Sequence, residues 1–199
     1  PMILSSAMAT MEEVELAVST VRSEGLNEIV MLQCSGNYPA RLSDSNLRVI
    51  KTYKEKLNCI IGYSDHTMDL INPFAATAMG AKVYEKHFTI DRSLPGPDHR
   101  MALEPDGLKQ TIKAIRDTEL ALGNPIKKVL EDEKENRMKL RKSIVTITDI
   151  RKDTIIKRNM IAIKRPGSGI SPSEINNIVG KKAKHDLSKD YVLSFKNFK

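Results

Sequence analysis

Polar and ionisable residues that could act in catalysis or binding follow directly after four short apolar runs in the first half of the chain. They are Ser5-Ser6, Gln33-Cys34-Ser35, Ser64-Asp65-His66 and Glu85-Lys86-His87. If the apolar runs are parallel strands, these side chains meet at the carboxyl edge of one sheet, where α/β proteins bind ligands and keep catalytic groups. The pattern therefore predicts a polar site built from several strand ends.

His66 and His87 are the candidate metal ligands. They occupy equivalent positions on consecutive predicted strands, and because neighbouring strands lie about 4.8 Å apart, both imidazoles can reach one ion. Two histidines leave coordination positions open, which suits a divalent cation that also binds substrate oxygens. The alternative is that each is a hydrogen-bonded histidine of the core or of a loop, but their equivalent placement favours the metal site.

Two neighbours of the histidines are interpreted as supporting residues. Alternate residues of a strand face opposite sides, so Lys86 is predicted to point away from Glu85 and His87 and to form a structural ion pair behind the site. Asp65 is predicted either to cap the following helix, which we favour, or to orient His66.

Other candidates lie in loops or have a less specific signal. Asp98 follows the Pro-Gly-Pro of "RSLPGPDHR", and a loop held by prolines is suited to present a carboxylate to a substrate. Tyr38 in "GNYPA" is a similar candidate, and both residues have the alternative role of capping or packing within their loops. Arg165 in "KRPGSGISP" offers a planar fork for a carboxylate or phosphate. Cys34 has the chemistry of a nucleophile, but we interpret it as a buried apolar residue.

The elements that must position these residues alternate between strand and helix over the first 123 residues. We predict strands at residues 2–4, 29–32, 59–61 and 82–84. The predicted helices run from a Thr10–Glu13 capping box to Gly25, from about Ser43 to Leu57, over an Ala-rich segment to about Gly80, and from Glu104-Pro105 to Gly123. Four βα units with continuous apolar strands predict a parallel sheet covered by helices, either half of an eight-stranded barrel or a small open sheet.

The second part of the chain has a different pattern. Residues 124–140 are charged and poor in strand-forming residues, and we predict a partly helical linker. Residues 141–199 contain short β-rich runs with an internal repeat, in which residues 149–156 align with residues 186–193. Each copy predicts a strand, a Lys-Asp turn and another strand, so we expect a small pseudo-symmetric β domain.

Charge and composition narrow the class of protein. Residues 1–123 carry 13 Lys and Arg against 16 Asp and Glu, a net charge of −3, whereas residues 124–199 carry 19 against 9, a net charge of +10. Such a basic segment suits an anionic substrate, an acidic partner chain or nucleic acid, or it is simply a solvated surface, which is the commonest case. The scarcity of interleaved aromatic residues argues against nucleic acid. Two unpaired cysteines and the lack of a long apolar segment predict a cytoplasmic protein with no membrane partner.

The sequence resembles the sialic acid synthase family, whose members make nonulosonic acids such as N-acetylneuraminate. The resemblance covers the whole chain and rests on six segments in the family's order: "ILSSAMATMEEVELAV", "LQCSGNYPA", "IGYSDHT", "GAKVYEKHFTIDRSLPGPDHRMALEPD", "RKSIV" and "KRPGSGISP". It implies an α/β fold, with the second half of a (β/α)8 TIM barrel at residues 1–123. A small β-rich SAF domain of the antifreeze-like, β-clip type would follow at residues 141–199.

The resemblance also implies an activity. Family members condense phosphoenolpyruvate with N-acetylmannosamine or a related amino sugar and release phosphate, using Mn2+ or Mg2+. The positions that resemble the family's functional residues are His66 and His87 for the metal, Ser5 and Ser64 for phosphoenolpyruvate, Tyr38 and Asp98 for the amino sugar, and Arg165. Arg165 is similar to an arginine that one subunit inserts into its partner's site, which implies a domain-swapped homodimer. Tyr38, Asp98 and Arg165 are thus the catalytic candidates.

Two departures from the family pattern qualify this expectation. Gly36 stands where members often carry a polar residue that holds phosphoenolpyruvate, so either Asn37 takes that role or the contact is lost. Family members also have four further βα units before the segment that matches Pro1, and we therefore expect residues 1–199 alone to be inactive. Two alternatives are a basic C-terminal module that binds polyanions or carbohydrate without catalysis, and a metal-dependent aldolase that uses pyruvate and releases no phosphate.

Overall fold

The computed structural model describes residues 1–199, which form two compact units, residues 1–125 and residues 126–199. No helix in the chain combines the length and the apolar composition needed to cross a bilayer. The first unit contains the strand-end residues named above, and the second contains Arg165.

The first unit is built on a four-stranded parallel sheet in the order β1-β2-β3-β4. The strands are β1 (Met2–Ser5), β2 (Ile29–Cys34), β3 (Ile60–Asp65) and β4 (Val83–Lys86). The helices are α1 (Met11–Ser23), α2 (Val49–Lys56), α3 (Asn72–Ala78) and α4 (Pro105–Leu122). The predicted alternation of strand and helix and the parallel pairing are confirmed, while an eight-stranded barrel stays a prediction.

Local sequence explains both ends of α1 and the start of α4. The backbone N–H of Thr10 donates to Glu13 Oε2 at 2.7 Å, and the N–H of Glu13 donates to Thr10 Oγ1 at 3.4 Å, so the predicted capping box starts α1. Gly25, with a φ of +86°, follows the end of α1. Pro105 opens α4, where a missing N–H costs no helical hydrogen bond.

The predicted start of α2 was wrong. Leu42–Asp44 forms a single 3-10 turn, and the α-helix begins at Val49 rather than near Ser43. The reason is Asn46, whose φ of +44° lies in the left-handed region and interrupts the right-handed helix. Apolar periodicity predicted the buried face correctly, since Ile50, Tyr53 and Leu57 are all at most 4% exposed, but it cannot detect a backbone reversal ahead of that face.

The core of the first unit lies between the sheet and the helices. Its buried members are Val14, Val18, Ile29, Met31, Ile50, Tyr53, Leu57, Ile61, Tyr63 and Ala76. Residues at alternate positions of β2 and β3 supply one side of this core, because successive side chains of a strand face opposite sides of the sheet. Strand positions between them face the other side of the sheet, and that face carries the strand-end histidines.

The second unit contains the helix α5 (Glu133–Leu140), which lies within the predicted linker, and a short α6 (Ile175–Ile178). Its antiparallel ladder pairs β5 (Ser143–Thr146) with β6 (Ile161–Lys164). Single 3-10 turns lie at Arg158–Met160, Pro172–Glu174 and Phe195–Asn197. The buried core is Ile144, Ile150, Ile156, Ile161, Ile170, Ile178, Ala183, Leu187 and Leu193.

The predicted internal repeat is visible as a set of reciprocal contacts. Ile150 and Leu187 exchange two backbone hydrogen bonds of 2.8 Å. The N–H of Lys152 donates to Asp186 Oδ1 at 2.6 Å, and the N–H of Lys189 donates to Asp149 Oδ1 at 2.7 Å. Each aspartate therefore caps the turn of the opposite copy, and the pseudo-symmetric β domain is confirmed.

The turns of the repeat match the prediction more closely than its strands do. Asp153 and Asp190 have φ values of 65° and 63°, so each Lys-Asp turn passes through the left-handed region at its aspartate. Aspartate tolerates that conformation better than most residues. The predicted strands on either side are isolated bridges instead, such as Val145 with Val192 and Ile155 with Lys182.

Candidate functional site

Four residues predicted from separate segments meet at the carboxyl edge of the sheet. The ring centroids of His66 and His87 are 5.3 Å apart. The ring of Tyr38 lies 4.0 Å from that of His66 and 5.6 Å from that of His87. Asp98 Oδ2 is 3.8 Å from His87 Nδ1. The loops after β2 and β4 therefore bring Tyr38 and Asp98 to the two strand-end histidines.

The orientation of His66 is set by a backbone carbonyl. His66 Nδ1 is 2.7 Å from the carbonyl oxygen of Ser35, which can only accept, so Nδ1 carries the proton. The lone pair then lies on Nε2, which is the arrangement of a histidine prepared to bind a metal. The alternative that Asp65 orients His66 was wrong, because the Ser35 carbonyl does so.

Cys34 lies beside this histidine without the geometry of an activated nucleophile. Its Sγ is 3.6 Å from His66 Nδ1, the ring atom that already donates to Ser35, and the side chain is 6% exposed. A base that accepts the thiol proton needs a free lone pair at the facing nitrogen. The interpretation of Cys34 as a buried residue agrees with this geometry.

His66 and His87 are the two candidate metal ligands that the structure brings together. His87 is 30% exposed and its distance to Asp98 exceeds that of a hydrogen bond, so its ring is not fully engaged by the protein. No group of three or more His, Cys, Asp or Glu side chains in residues 1–199 is arranged to hold an ion. The two imidazoles are therefore the nitrogen donors that could hold an ion at this edge of the sheet.

Ser64 lies on the same face of the sheet as the histidines. It pairs in register with Glu85 on β4, and its hydroxyl donates to Glu85 Oε1 at 2.7 Å. Ser64 is 2% exposed while Glu85 is exposed, so the hydroxyl is held in place by a carboxylate on the open side.

A buried polar network lies on the opposite, helix-facing side of β3 and β4. Asp65 is fully buried and accepts hydrogen bonds from Thr67, Asn72 and Tyr84, and it forms an ion pair with Lys86 at 3.2 Å. The prediction of Lys86 as an ion-pair partner behind the site is confirmed. The favoured role of Asp65 as a helix cap was wrong, because α3 begins after Ile71 with no side-chain cap.

The protonation of this network follows from burial. Burial, and then the Asp65 carboxylate, raise the pKa of Tyr84 far above its usual range, so Tyr84 stays a donor. Burial lowers the pKa of Lys86, and the adjacent Asp65 carboxylate opposes that effect. Burial also raises the pKa of Tyr63 to about 12. Sequence reasoning missed Tyr84 and Asn72, although Tyr84 and Lys86 already stood at the two-residue spacing that places both on one face.

The loop that carries Tyr38 is tied to the end of β3. The N–H of Ala40 donates to the carbonyl of His66 at 2.9 Å, and the Tyr38-Pro39 peptide bond is cis. The side chain of Tyr38 remains 53% exposed. Partial burial is the main cause that raises the pKa of Tyr38, so its hydroxyl is a donor at neutral pH.

A cleft of about 600 Å³ lies at the ends of β1 and β2. Ser6, Gln33, Cys34, Gly36 and Asn37 are among the residues that line it. A side chain at Gly36 would approach Met8 Cγ at 2.9 Å, so the glycine lets Met8 lie over the loop.

Ser5 and Ser6 have different surroundings at the end of β1. Ser5 is exposed and pairs in register with Leu32, whereas the hydroxyl of Ser6 is buried and donates to the Leu32 carbonyl at 2.8 Å. Of the two, Ser5 has the hydroxyl that is free to meet a ligand.

Arg165 belongs to the second unit, where its loop is held by several contacts. Arg165 Nε donates to the carbonyl of Leu140 at 3.3 Å, and the N–H of Gly167 donates to the carbonyl of Met138 at 2.7 Å. Ser143 Oγ donates to the Pro166 carbonyl at 2.7 Å. The end of α5 and the start of β5 thus fix this loop, while Arg165 itself is exposed.

The chain combines a parallel α/β unit that carries two strand-end histidines with a separate pseudo-symmetric β unit. This combination defines the class of protein. Residues 1–127 match the NeuB family and residues 141–199 match the SAF domain. The chain belongs to the NeuB family.

Relatives support this assignment over nearly the whole chain. The chain is 41% identical over 192 residues to N,N'-diacetyllegionaminic acid synthase of Legionella pneumophila, covering 94% of this chain and 54% of the relative. It is 38% identical over 192 residues to human N-acetylneuraminate-9-phosphate synthase, covering 96% and 53%. The chain spans about half the length of these curated relatives.

A solved structure agrees as well. The spore coat polysaccharide biosynthesis protein spsE of Bacillus subtilis matches with a TM-score of 0.58 and 35% identity, covering 100% of this chain and 61% of that chain. The family is thus shown both by sequence and by structure, and its named relatives include synthases of nonulosonic acids.

Proposed function

We propose that the protein containing this chain condenses phosphoenolpyruvate with an N-acetylated amino sugar to give a nonulosonic acid and phosphate. The observation that carries the proposal is the convergence of His66, His87, Tyr38 and Asp98 at the carboxyl edge of a parallel sheet. Relatives named as legionaminic acid and N-acetylneuraminate-9-phosphate synthases support the reaction class. Because the chain spans about half their length, the complete activity is proposed for a protein of the relatives' length.

His66 and His87 would hold Mn2+ or Mg2+. The tautomer imposed by the Ser35 carbonyl leaves His66 Nε2 free to bind, and the partly exposed ring of His87 lies on the same side. When bound, such a cation would polarise the sugar aldehyde as a Lewis acid. The two imidazoles would also fix where the aldehyde oxygen can approach.

Ser64, Ser5 and Asn37 would bind phosphoenolpyruvate. Ser5 on β1 and Ser64 on β3 lie on one face of the sheet, two register positions apart. The Ser5 hydroxyl is exposed, and the Ser64 hydroxyl would donate to an anion in place of Glu85. Asn37 lines the neighbouring cleft beside Gly36 and would supply an amide donor. Donors held on strand ends suit an anionic substrate because their positions are set by the sheet.

Tyr38, Asp98 and Arg165 would bind the amino sugar. Tyr38 and Asp98 flank the two histidines, so a sugar held between them would present its aldehyde to the metal site. Arg165 would come from the second unit of a partner copy in a domain-swapped homodimer. Its planar guanidinium can make two parallel hydrogen bonds, which orients a substrate as well as attracting it.

In the proposed reaction, the enol carbon of phosphoenolpyruvate attacks the carbonyl carbon of the open-chain sugar and forms the new carbon–carbon bond. Water then adds to the cationic carbon that bears the phosphate. Phosphate leaves with cleavage of the carbon–oxygen bond. Holding both substrates against one sheet edge would contribute mainly by orientation, which can account for a large part of a rate enhancement.

Metal binding can be tested on residues 1–199 themselves. Titration with Mn2+, followed by electron paramagnetic resonance of the free ion, should show one site. His66→Ala and His87→Ala should each lower the affinity by about 100-fold or more, since a direct ligand is lost. His185→Ala, which changes a histidine of the second unit, is the matched control and should bind like the unchanged chain.

Turnover is tested on a protein of the relatives' length that contains this chain, with phosphoenolpyruvate, Mn2+ and either N-acetylmannosamine or a diacetamido sugar. Phosphate release that requires one of these sugars supports the proposal. Product formation from pyruvate without phosphate release would instead indicate an aldolase. Equal phosphate release with and without any sugar would contradict the condensation.

A further inference from the structure

The two candidate metal ligands each follow a member of one buried ion pair. Asp65 directly precedes His66, and Lys86 directly precedes His87. The side chains of Lys86 and Asp65 are 6% and 0% exposed and their charged atoms lie 3.2 Å apart. Neither faces the site, because both lie on the helix side of the sheet. The pair has no role in the proposed reaction.

The strand pairing ends where this ion pair lies. Asp65 and Lys86 are the last register partners of β3 and β4, and His66 and His87 are the next residues along the two strands. Lys86 Nζ also donates to the carbonyl of Thr67, the residue after His66. The lysine side chain therefore adds a connection from β4 to a residue that lies beyond the last register pair.

Asp65 secures the same segment from the other side. Its Oδ1 accepts from the N–H of Thr67 at 2.9 Å, from the hydroxyl of Thr67 at 2.8 Å and from Asn72 at 3.1 Å. Thr67 is thus held both by Asp65 and by Lys86. Since His66 lies between Asp65 and Thr67, its backbone is fixed on both flanks.

The free-energy cost of burying two charges helps to explain why the Asp65–Lys86 ion pair is present. Removing two charges from water is costly, and a buried ion pair often adds no more stability than apolar residues of the same volume. Here every charged atom has partners, so the pair is tolerated, but stability alone does not explain it. A geometric role explains the pair, because it connects the ends of β3 and β4, which carry the two histidines.

We propose that Lys86 and Asp65 are positioning residues that set the separation of the His66 and His87 imidazoles. They act through the Thr67 carbonyl and the ends of β3 and β4, and they contact neither the metal nor a substrate. The inference rests on the proposed metal site. One part of the inference, that the separation of the two imidazole rings depends on Lys86, can be measured without any metal.

The test compares Lys86→Met with Tyr84→Phe in residues 1–199. Methionine keeps most of the volume of lysine but cannot hold the Thr67 carbonyl. Tyr84→Phe removes one hydrogen bond to the same Asp65 carboxylate, from the same strand, and leaves the link from Lys86 to Thr67 in place. Crystal structures without metal report the separation of the imidazoles, and Mn2+ titration reports the affinity.

Lys86→Met should widen the 5.3 Å ring separation and weaken Mn2+ binding by about 10- to 100-fold. Tyr84→Phe should change the affinity by less than about threefold, because Asp65 keeps its other partners. If Lys86→Met does not fold, the double variant Asp65→Asn with Lys86→Met takes its place, since it leaves no unpaired buried charge. The same widening and the same loss of affinity are expected of it.

Two outcomes separate this inference from the proposed function. Unchanged ring separation and unchanged Mn2+ affinity in a folded Lys86 variant would overturn the positioning role, whatever the reaction. If the unchanged chain binds no Mn2+ through His66, yet the ring separation still widens in Lys86→Met, the metal site fails and the positioning role stands.

Discussion

The ring of Tyr38 lies over the imidazole of His66, with centroids 4.0 Å apart and planes inclined by 31°. The two residues come from different βα units, and the hydrogen bond from Ala40 to the carbonyl of His66 holds their loops together. Tyr38 thus contributes an aromatic face to the candidate metal site, and its hydroxyl is the group that the proposed function assigns to the amino sugar.

The two contributions of Tyr38 can be separated by substitution. Tyr38→Phe keeps the ring, so Mn2+ affinity should stay the same, while the KM for the amino sugar should rise about five- to tenfold for one lost hydrogen bond. Tyr38→Ala also removes the ring contact and should weaken Mn2+ binding about three- to tenfold. Metal titration and steady-state kinetics distinguish the two, and equal effects of both variants on Mn2+ affinity would contradict the packing role.

Ser64→Ala should raise the KM for phosphoenolpyruvate by roughly tenfold, because a hydrogen bond to an anionic substrate is lost. Stability should change little, since the other partner of the hydroxyl, Glu85, is exposed and can be hydrated. The control is Ser19→Ala on the exposed surface of α1, where the hydroxyl donates to Leu16. A normal KM in Ser64→Ala would remove Ser64 from the proposed phosphoenolpyruvate site.

Gly167→Ala should disturb the loop that presents Arg165. A Cβ at this position would lie 2.7 Å from the Cβ of Arg141, so the loop must move away from the end of α5. We expect a loss of about 1–3 kcal/mol in the free energy of unfolding of the second unit. In the full-length protein the KM for the amino sugar should rise, as it should in Arg165→Ala.

Ser168→Ala is the matched control for the loop, since Ser168 is exposed and neighbours the same glycine. It should retain both stability and kinetics. If Gly167→Ala lowers stability while the kinetics stay normal, the position of Arg165 does not matter to the reaction.

The reciprocal caps of the second unit predict a paired result in hydrogen exchange. Asp186→Ala should speed exchange of the Lys152 amide by about tenfold and leave the Lys189 amide unchanged, because Asp186 accepts from Lys152. Asp149→Ala should do the reverse. Exchange measured by NMR at the two amides checks this, and faster exchange at both amides in either variant would indicate a general loosening instead of two separate caps.

Much of the fold could be predicted because its signals are local. The capping box at Thr10 and Glu13, the proline that opens α4 and the two Lys-Asp turns depend on residues close in the chain. The false start of α2 shows the limit of such signals. Hydrophobic periodicity describes the face of a helix, whereas the left-handed backbone at Asn46 depends on a conformation that this pattern does not record.

Part of the candidate site could be predicted for a similar reason. Parallel strands bring their carboxyl ends to one edge, so His66 and His87 were expected to be neighbours before any distance was known. The residue that orients His66 could not be predicted, because it is a backbone carbonyl 31 residues away, and every residue has one. Asp65 and Lys86 had several possible partners in the sequence, and packing selected among them.

The sequence by itself determined the order of strands and helices in the first unit and the strand ends that carry the candidate site residues. It also determined the internal repeat of the second unit. The tertiary structure decided which lone pair His66 presents, which partners bury the Asp65 charge and how Lys86 reaches Thr67. The physical reason is that order and periodicity depend on neighbours along the chain. Hydrogen-bond partners between strands depend on register and burial, which exist only once the chain has packed.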